Sequence, residues 1–318
     1  SRNLPACSLA TLGGPKKPQN PGSKGPVANA AAPRWAGHAS QQELLAYSRQ
    51  AATQATTVDA YADRASDGSL VFDESRKQLH EQIISKLLDS IPAQAAGQAR
   101  VMFTGGGYSA GKGGVLNGHP DAIPDGNDPK GADDPQRGLV LDPDVIKAML
   151  PEFDAMLDSD PEANLLVYEE AWHISQELQR RAIAKNVNMT VDGISDTSKD
   201  DMMGRVKLFT DAKYQHPKVV YVDIPTDEAI KRAANRAAKA KKRSDRRFIP
   251  EVIMRAVHRD VAATIPDVMK AAASAGLDVE VWDNNQGWDA ANDRPIPPVM
   301  IARSAESGGE TIGDLGEA

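Results

Sequence analysis

One stretch narrows the folds open to this chain more than any other. Val101-Met102-Phe103-Thr104 is a β-type run that leads directly into Gly105-Gly106-Gly107-Tyr108-Ser109-Ala110-Gly111-Lys112-Gly113-Gly114, and a helix can follow from Val115. Gly106 and Gly111-Lys112 satisfy G-x-x-x-x-G-K, the body of a phosphate-binding loop. That chemistry needs glycine because main-chain N–H groups must turn inward around phosphate oxygens, and side chains obstruct the turn. A helix starting there adds its positive end, and Lys112 can reach the outer phosphates. Gly106, Gly107, Tyr108, Ser109, Ala110, Gly111, Lys112, Gly113 and Gly114 are therefore expected to cradle a nucleotide phosphate. One element departs from the pattern: where a Ser or Thr ordinarily follows the lysine and ligates Mg²⁺, this chain has Gly113.

The surrounding pattern fits such a loop. β-type runs recur at 101–104, 139–141, 188–191, 218–224 and 279–282, separated by helix-forming segments at 163–185, 226–243 and 250–275. Alternation of this kind predicts a three-layer α/β fold, a parallel sheet with helices on both faces. A helix is also expected from Asp73 to Leu88, with Leu79, Ile83, Ile84, Leu87 and Leu88 on one stripe. The run 299–302 reads as an edge strand. Residues 1–40, with Pro and Gly throughout 13–26, read as a disordered or linker head. A helical extension is expected over 41–69, the main domain over 70–310 and a flexible tail over 311–318. The acidic, Pro- and Gly-rich segment 118–138 is expected to be a functional or mobile loop.

Composition removes several classes of function. With 41% hydrophobic and 25% charged residues, the 318-residue chain can build a core. Its net charge of −7 argues against a surface that wraps nucleic acid. Cys7 is the one cysteine, which excludes a disulfide framework and a Cys-based zinc site. No apolar run approaches the ~20 residues of a membrane span. The expectation is a cytoplasmic chain with neither membrane nor nucleic-acid partner.

Beyond the loop, the order of motifs resembles the zeta toxin family of P-loop kinases. Leu141-Asp142-Pro143-Asp144-Val145-Ile146-Lys147, followed by Leu150-Pro151-Glu152-Phe153, is similar to the family's D-x-D-x-[FI]-[RK] and H/L-P-x-[FY]. Tyr168-Glu169-Glu170-Ala171 stands where relatives often carry His-Glu-Glu-Ser. Val191-Asp192-Gly193 is similar to the acidic-Gly turn, and Arg236 and Arg247-Phe248-Ile249-Pro250 resemble the arginine-bearing segment. The resemblance spans about residues 70–305 and implies a P-loop kinase fold. It also implies ATP-dependent phosphorylation of a hydroxyl on a nucleotide-sugar such as UDP-N-acetylglucosamine or on a related nucleotide; one relative phosphorylates the adenosine ribose of NAD. By position, it implies Asp144 as catalytic base, Lys112 as phosphate lysine, and Arg236 and Arg247 as ATP-side arginines. Relatives are neutralised by a small antitoxin, so the resemblance also implies an antitoxin partner. Ile194-Ser195-Asp196 after the Asp-Gly pair departs from the sugar-nucleotide pattern.

Chemistry assigns similar roles to these residue types. Phosphoryl transfer needs positioning, charge neutralisation and an acceptor for the attacking hydroxyl's proton. Asp144, just past a strand's carboxyl end, suits the last of these, with Asp142 as rival or substrate contact; an Asp-Pro-Asp helix cap is the plainer reading. Asp192, ending a strand before a glycine, suits Mg²⁺ or substrate, and Glu170 suits substrate hydroxyls; a turn Asp and a dipole-favouring helix start are their plainer readings. Residues 231–247 hold nine Lys/Arg against Asp245, with Arg232, Arg236, Lys239 and Arg243 on one helical face. Such a face can close over phosphates, be a solvated surface, or grip nucleic acid. His173 and His258 read as packing or surface histidines, and Asn284 or Asn285 as adenine neighbours. The alternative to a kinase is a catalytically impaired nucleotide-binding module within a larger toxin or assembly protein, motivated by Gly113 and Gly114.

Overall fold

The computed structural model describes residues 55–131, 133–156, 163–193, 196–239, 249–289 and 294–304. A short helix α1 (Thr57–Tyr61), closed by a Thr56–Asp59 capping box, leads into a hairpin of β1 (Ala62–Arg64) and β2 (Leu70–Phe72). The segment expected to be helical over 41–69 thus ends in strands. The reason is local: Ala65 N–H donates to the Ser69 carbonyl, Gly68 N–H donates to that of Ala65, and Gly68 turns at φ +83°, a value glycine adopts without strain. Helix α2 (Glu74–Leu88) follows, capped by Asp73, and buries Ile83, Ile84, Leu87 and Leu88.

Then come β3 (Arg100–Gly105), α3 (Lys112–Asn117), β4 (Leu139–Leu141), α4 (Pro143–Lys147), α5 (Pro151–Met156), α6 (Ala163–Leu166), α7 (Tyr168–Lys185) and β5 (Met189–Asp192). The remainder runs α8 (Lys199–Asp211), β6 (Gln215–Asp223), α9 (Thr226–Lys239), α10 (Glu251–Ala275), β7 (Asp278–Asp283), a small ribbon of β8 (Trp288–Asp289) with β9 (Arg294–Pro295), and β10 (Val299–Arg303).

Six strands form the main sheet in the order β10-β7-β6-β3-β5-β4, all parallel except β10, which pairs antiparallel with β7 at the edge. The parallel α/β arrangement with a β edge at 299–302 is the architecture expected from the alternating pattern. Central strands such as β6 are buried along most of their length, as a sheet covered on both faces requires. Val101, Phe103, Leu139, Leu141, Val191, Val219, Tyr221 and Val279 make the sheet's share of one continuous core.

Register decides where chemistry can happen. Thr104 lies beside Asp192, and Leu141 beside Val191, so β3, β4 and β5 end together. β3 has β5 on one side and β6 on the other, so the loop leaving it opens at a topological switch point. The 118–138 segment packs elsewhere. Ile123 enters the core, and Asp121 pairs with Lys218 Nζ at 2.5 Å near the start of β6. None of its described residues lines the cleft at the strands' carboxyl ends.

Candidate active site

At the carboxyl ends of β3, β4 and β5 lies a cleft of about 230 Å³, lined by residues 108–113, Asp142, Pro143, Asp144, Lys147, Tyr168, Trp172, Asp192, Gly193, Arg236 and Ile249. Its first wall is the glycine loop. Ser109 (φ +60°) and Gly111 (φ +88°) turn in the left-handed region, and Gly106 (φ +131°) opens the bend where β3 ends. The main-chain N–H groups of Ser109, Gly111, Lys112 and Gly113 meet no protein acceptor among the described residues. The first turn of a helix leaves such donors without intrahelical partners, and four of them along one wall can together take an anion. The loop's lysine folds back, its Nζ donating to the Gly106 carbonyl at 3.0 Å. Gly193 leaves it room: a Cβ there would lie 3.2 Å from Lys112 Nζ.

The facing wall is acidic. Asp142 caps α4, accepting from the Asp144 N–H at 2.8 Å, so the capping role and the cleft position coexist. Asp144 lies in the first turn of α4 and lines the cleft, with Lys147 Nζ 2.9 Å from its Oδ1. The Lys147 side chain is 3% exposed and stands 4.3 Å over the Tyr168 ring. Asp192 closes the floor between the walls, held through Oδ1 by the Thr104 hydroxyl. Arg236 reaches the cleft from α9.

The cleft therefore gathers Tyr108, Ser109, Ala110, Gly111, Lys112, Gly113, Asp142, Asp144, Asp192 and Arg236. Three expected loop contacts face elsewhere. Gly106 N–H is committed to the Asp196 carboxylate at 3.0 Å, and a Cβ on Gly107 would collide with the His258 ring. Gly114 N–H donates to the Gly111 carbonyl as the first turn of α3 closes. Glu170 corrects the expectation of a substrate contact: its side chain is 0% exposed and lies in a buried cluster with Arg76 and His80, away from the cleft. Arg247 lies outside the described residues.

The Zeta toxin family model matches residues 84–292, well over half of the chain. The chain belongs to the zeta toxin family. Its members are kinase-like toxins with P-loop nucleotide-binding folds. No curated protein matches this zeta toxin chain at the level of sequence. Among solved structures, the AvrRxo1-ORF1:AvrRxo1-ORF2 complex with sulphate ions aligns at 13% identity and TM-score 0.62, covering 83% of this chain and 80% of that chain. The AvrRxo1-ORF1:-ORF2 complex with ATP aligns at 12% identity and TM-score 0.60, covering 81% and 79% respectively. A PezAT chromosomal toxin-antitoxin structure of Streptococcus pneumoniae aligns at 11% identity and TM-score 0.48, covering 75% and 85%. The two AvrRxo1 likenesses show the fold.

Several groups in this zeta toxin site owe their place to contacts between residues far apart in the sequence. His258 is a support of the loop, with Nε2 2.8 Å from the Tyr108 carbonyl. Asn284 is engaged with the loop, its Nδ2 donating to the Ala110 carbonyl at 2.8 Å. Arg232, on the basic face of α9, is spent on Glu228 (3.0 Å) and the Asn284 carbonyl (2.9 Å). Burial pushes the Asp196 carboxyl above its ordinary value, although nearby Lys112 and the Gly106 N–H pull the other way. Burial pushes the His258 imidazole down. Tyr168 and Trp172, four apart on α7, line the cleft together. Their i, i+4 spacing at a helix start was the available signal.

Proposed function

We propose that this zeta toxin is an ATP-dependent phosphotransferase that moves the γ-phosphoryl group of ATP to a hydroxyl of a nucleotide-sugar or related nucleotide. The observation that carries this reading is the placing across one cleft of Lys112 and four loop N–H groups, which meet no acceptor among the described residues, opposite the Asp144 carboxylate. The loop N–H groups and Lys112 bind the phosphate tail, and Arg236 offers a fork for developing charge on the transferring oxygens. Asp144 accepts the hydroxyl proton as that oxygen bonds to phosphorus and the bond to the leaving diphosphate breaks. Lys147 fixes the direction of the Asp144 carboxylate, and Tyr168 and Trp172 offer ring faces against which a base or sugar can lie. An ATP complex of a protein with the same fold supports the choice of nucleotide.

Among the described residues no group of three or more His, Cys, Asp or Glu could hold a metal by itself. Mg²⁺ needs less, because it keeps waters and shares its sites with phosphate, so the single hard carboxylate of Asp192 on the floor fits it. Bound there, it would neutralise charge on the phosphate oxygens. Because the AvrRxo1 structures contain a second protein, and family relatives are neutralised by antitoxins, an antitoxin partner belongs to the same reading. The domain expected over 70–310 is its unit of function.

The test is incubation of the full chain with ATP, MgCl₂ and a panel of nucleotide-sugars and dinucleotides, read by the mass shift of one phosphate. Product should form with the wild type and vanish with Lys112→Ala and Asp144→Ala. Full turnover by Asp144→Ala would end the base assignment. The lack of a hydroxyl at Gly113 favours a second reading, a nucleotide-binding module without turnover; ATP binding with no product across the panel would establish it.

A further inference from the structure

Two side chains outside the glycine loop grip its outer surface. His258, on α10, is buried beneath the loop and meets the Tyr108 carbonyl at 2.8 Å. A carbonyl only accepts, so Nε2 carries the hydrogen. Asn284, just past β7, donates from Nδ2 to the Ala110 carbonyl at 2.8 Å. Asn284 is itself held: its N–H donates to the Asp223 carbonyl at 3.2 Å, and Arg232 donates to its carbonyl. Neither residue lines the cleft, whereas residues 108–111 do.

In a trans peptide the C=O and the following N–H point in opposite directions. Drawing the Tyr108 carbonyl toward His258 therefore aims the Ser109 N–H the other way, and drawing the Ala110 carbonyl toward Asn284 does the same for Gly111. These are two of the four donors that meet no protein acceptor among the described residues. Each lies at a left-handed residue, φ +60° and +88°, where the peptide plane could otherwise flip. The space around both supports is filled. A Cβ on Gly107 would strike His258, and one on Gly111 would strike Asn284 Nδ2.

We propose that His258 and Asn284 are positioning residues for the triphosphate: by pinning alternate carbonyls from outside, they hold the Ser109 and Gly111 N–H groups toward the anion before it arrives. This rests on the reading of the cleft as an ATP site and adds the parts that preorganise it. The two supports come from separate elements, so each can be removed alone.

The experiment uses the full chain and measures ATP binding with MgCl₂ by calorimetry, beside thermal unfolding of each variant. His258→Phe keeps a ring without the donor, Asn284→Asp keeps the shape without the donor, and His258→Gln keeps a donor. Loss of one aimed, charge-assisted hydrogen bond should weaken ATP binding about ten- to a hundredfold in His258→Phe and in Asn284→Asp, while His258→Gln stays within about threefold of wild type. Unfolding midpoints near wild type, with this donor-dependent pattern, separate positioning from mere packing. If His258→Phe does not fold, Asn284→Asp and His258→Gln decide the matter alone. Wild-type affinity in folded Asn284→Asp overturns the pins and leaves the ATP site standing. A wild type that fails to bind ATP overturns both.

Discussion

Replacing Glu170 with Ala should cost this protein stability before it costs catalysis. The carboxylate is fully buried and receives Arg76 Nε at 2.5 Å, Arg76 Nη2 at 2.7 Å and His80 Nε2 at 2.7 Å. Arg76 also forks onto Glu152 at 2.8 and 2.9 Å and lies 4.3 Å from the centre of the Tyr61 ring. The cluster thus ties the N-terminal helix α1 and helix α2 to the start of α7, the turn that presents Tyr168 to the cleft. Removing Glu170 leaves a buried guanidinium with one carboxylate instead of two and strands His80. Breaking a buried pair in this way costs about 3–5 kcal/mol.

The ionisation of Glu170 gives a second route to the size. Burial alone would raise this carboxyl, but hydrogen bonds from Arg76 and His80 outweigh it and hold it down at about 2, against an ordinary 4.5. At roughly 1.4 kcal/mol per pH unit, the difference comes to about 3 kcal/mol. For a chain of this size, the loss corresponds to a melting point lower by about 10 °C. A depressed folded-state value means the contribution is complete above pH 4.5 and disappears as pH falls toward 2. The stability gap between wild type and Glu170→Gln, from urea unfolding at a series of pH values, should therefore narrow over that window. Wild-type stability in Glu170→Ala, accompanied by loss of acceptor binding, would refute the structural role and restore the substrate one.

Two further outcomes follow from the cleft. On the proposed reading, Lys147→Met should lower the turnover number about ten- to a hundredfold while leaving ATP affinity near wild type, because Lys147 pairs with Asp144 on the wall opposite the glycine loop; steady-state kinetics with both substrates varied checks this. Asp196→Asn keeps an acceptor for the Gly106 N–H without a buried charge. Burial raises the Asp196 value, so the wild type loses this group's contribution as pH rises through its folded value. Asp196→Asn should gain on wild type as pH rises above the ordinary aspartate value of about 4, read from urea midpoints, and a gap that stays constant with pH would contradict the argument.

What could be read from the sequence was whatever depends on neighbours along the chain. The strand before Gly105, the glycine spacing, the Asp142 cap on α4 and the strand–helix alternation are local patterns, and each appears in the fold. The misreadings came from contacts that span many residues. Glu169-Glu170 looks like an exposed first turn, but Arg76 and His80 from α2 and Arg64 from the hairpin arrive to bury or pair it. His258 looks like a packing residue because the Tyr108 carbonyl it supports is 150 positions away. Lys147 follows Asp144 by a single helical turn, and that spacing was legible; its burial over Tyr168 was not.

The same distinction explains how the loop manages without a hydroxyl after its lysine. Thr104, at the end of β3 and fully buried, donates its hydroxyl to Asp192 and accepts the Gly193 N–H at 3.2 Å. That hydroxyl is thereby committed to aiming a carboxylate. Parallel register puts Thr104 and Asp192 side by side, so the last residues of two neighbouring strands fix the direction of the cleft floor. Oxygen donors in this part of the cleft are then carboxylates from β5 and α4, held by the sheet and a helix cap. Gly113 leaves the start of α3 as bare main chain, with an N–H that meets no acceptor among the described residues.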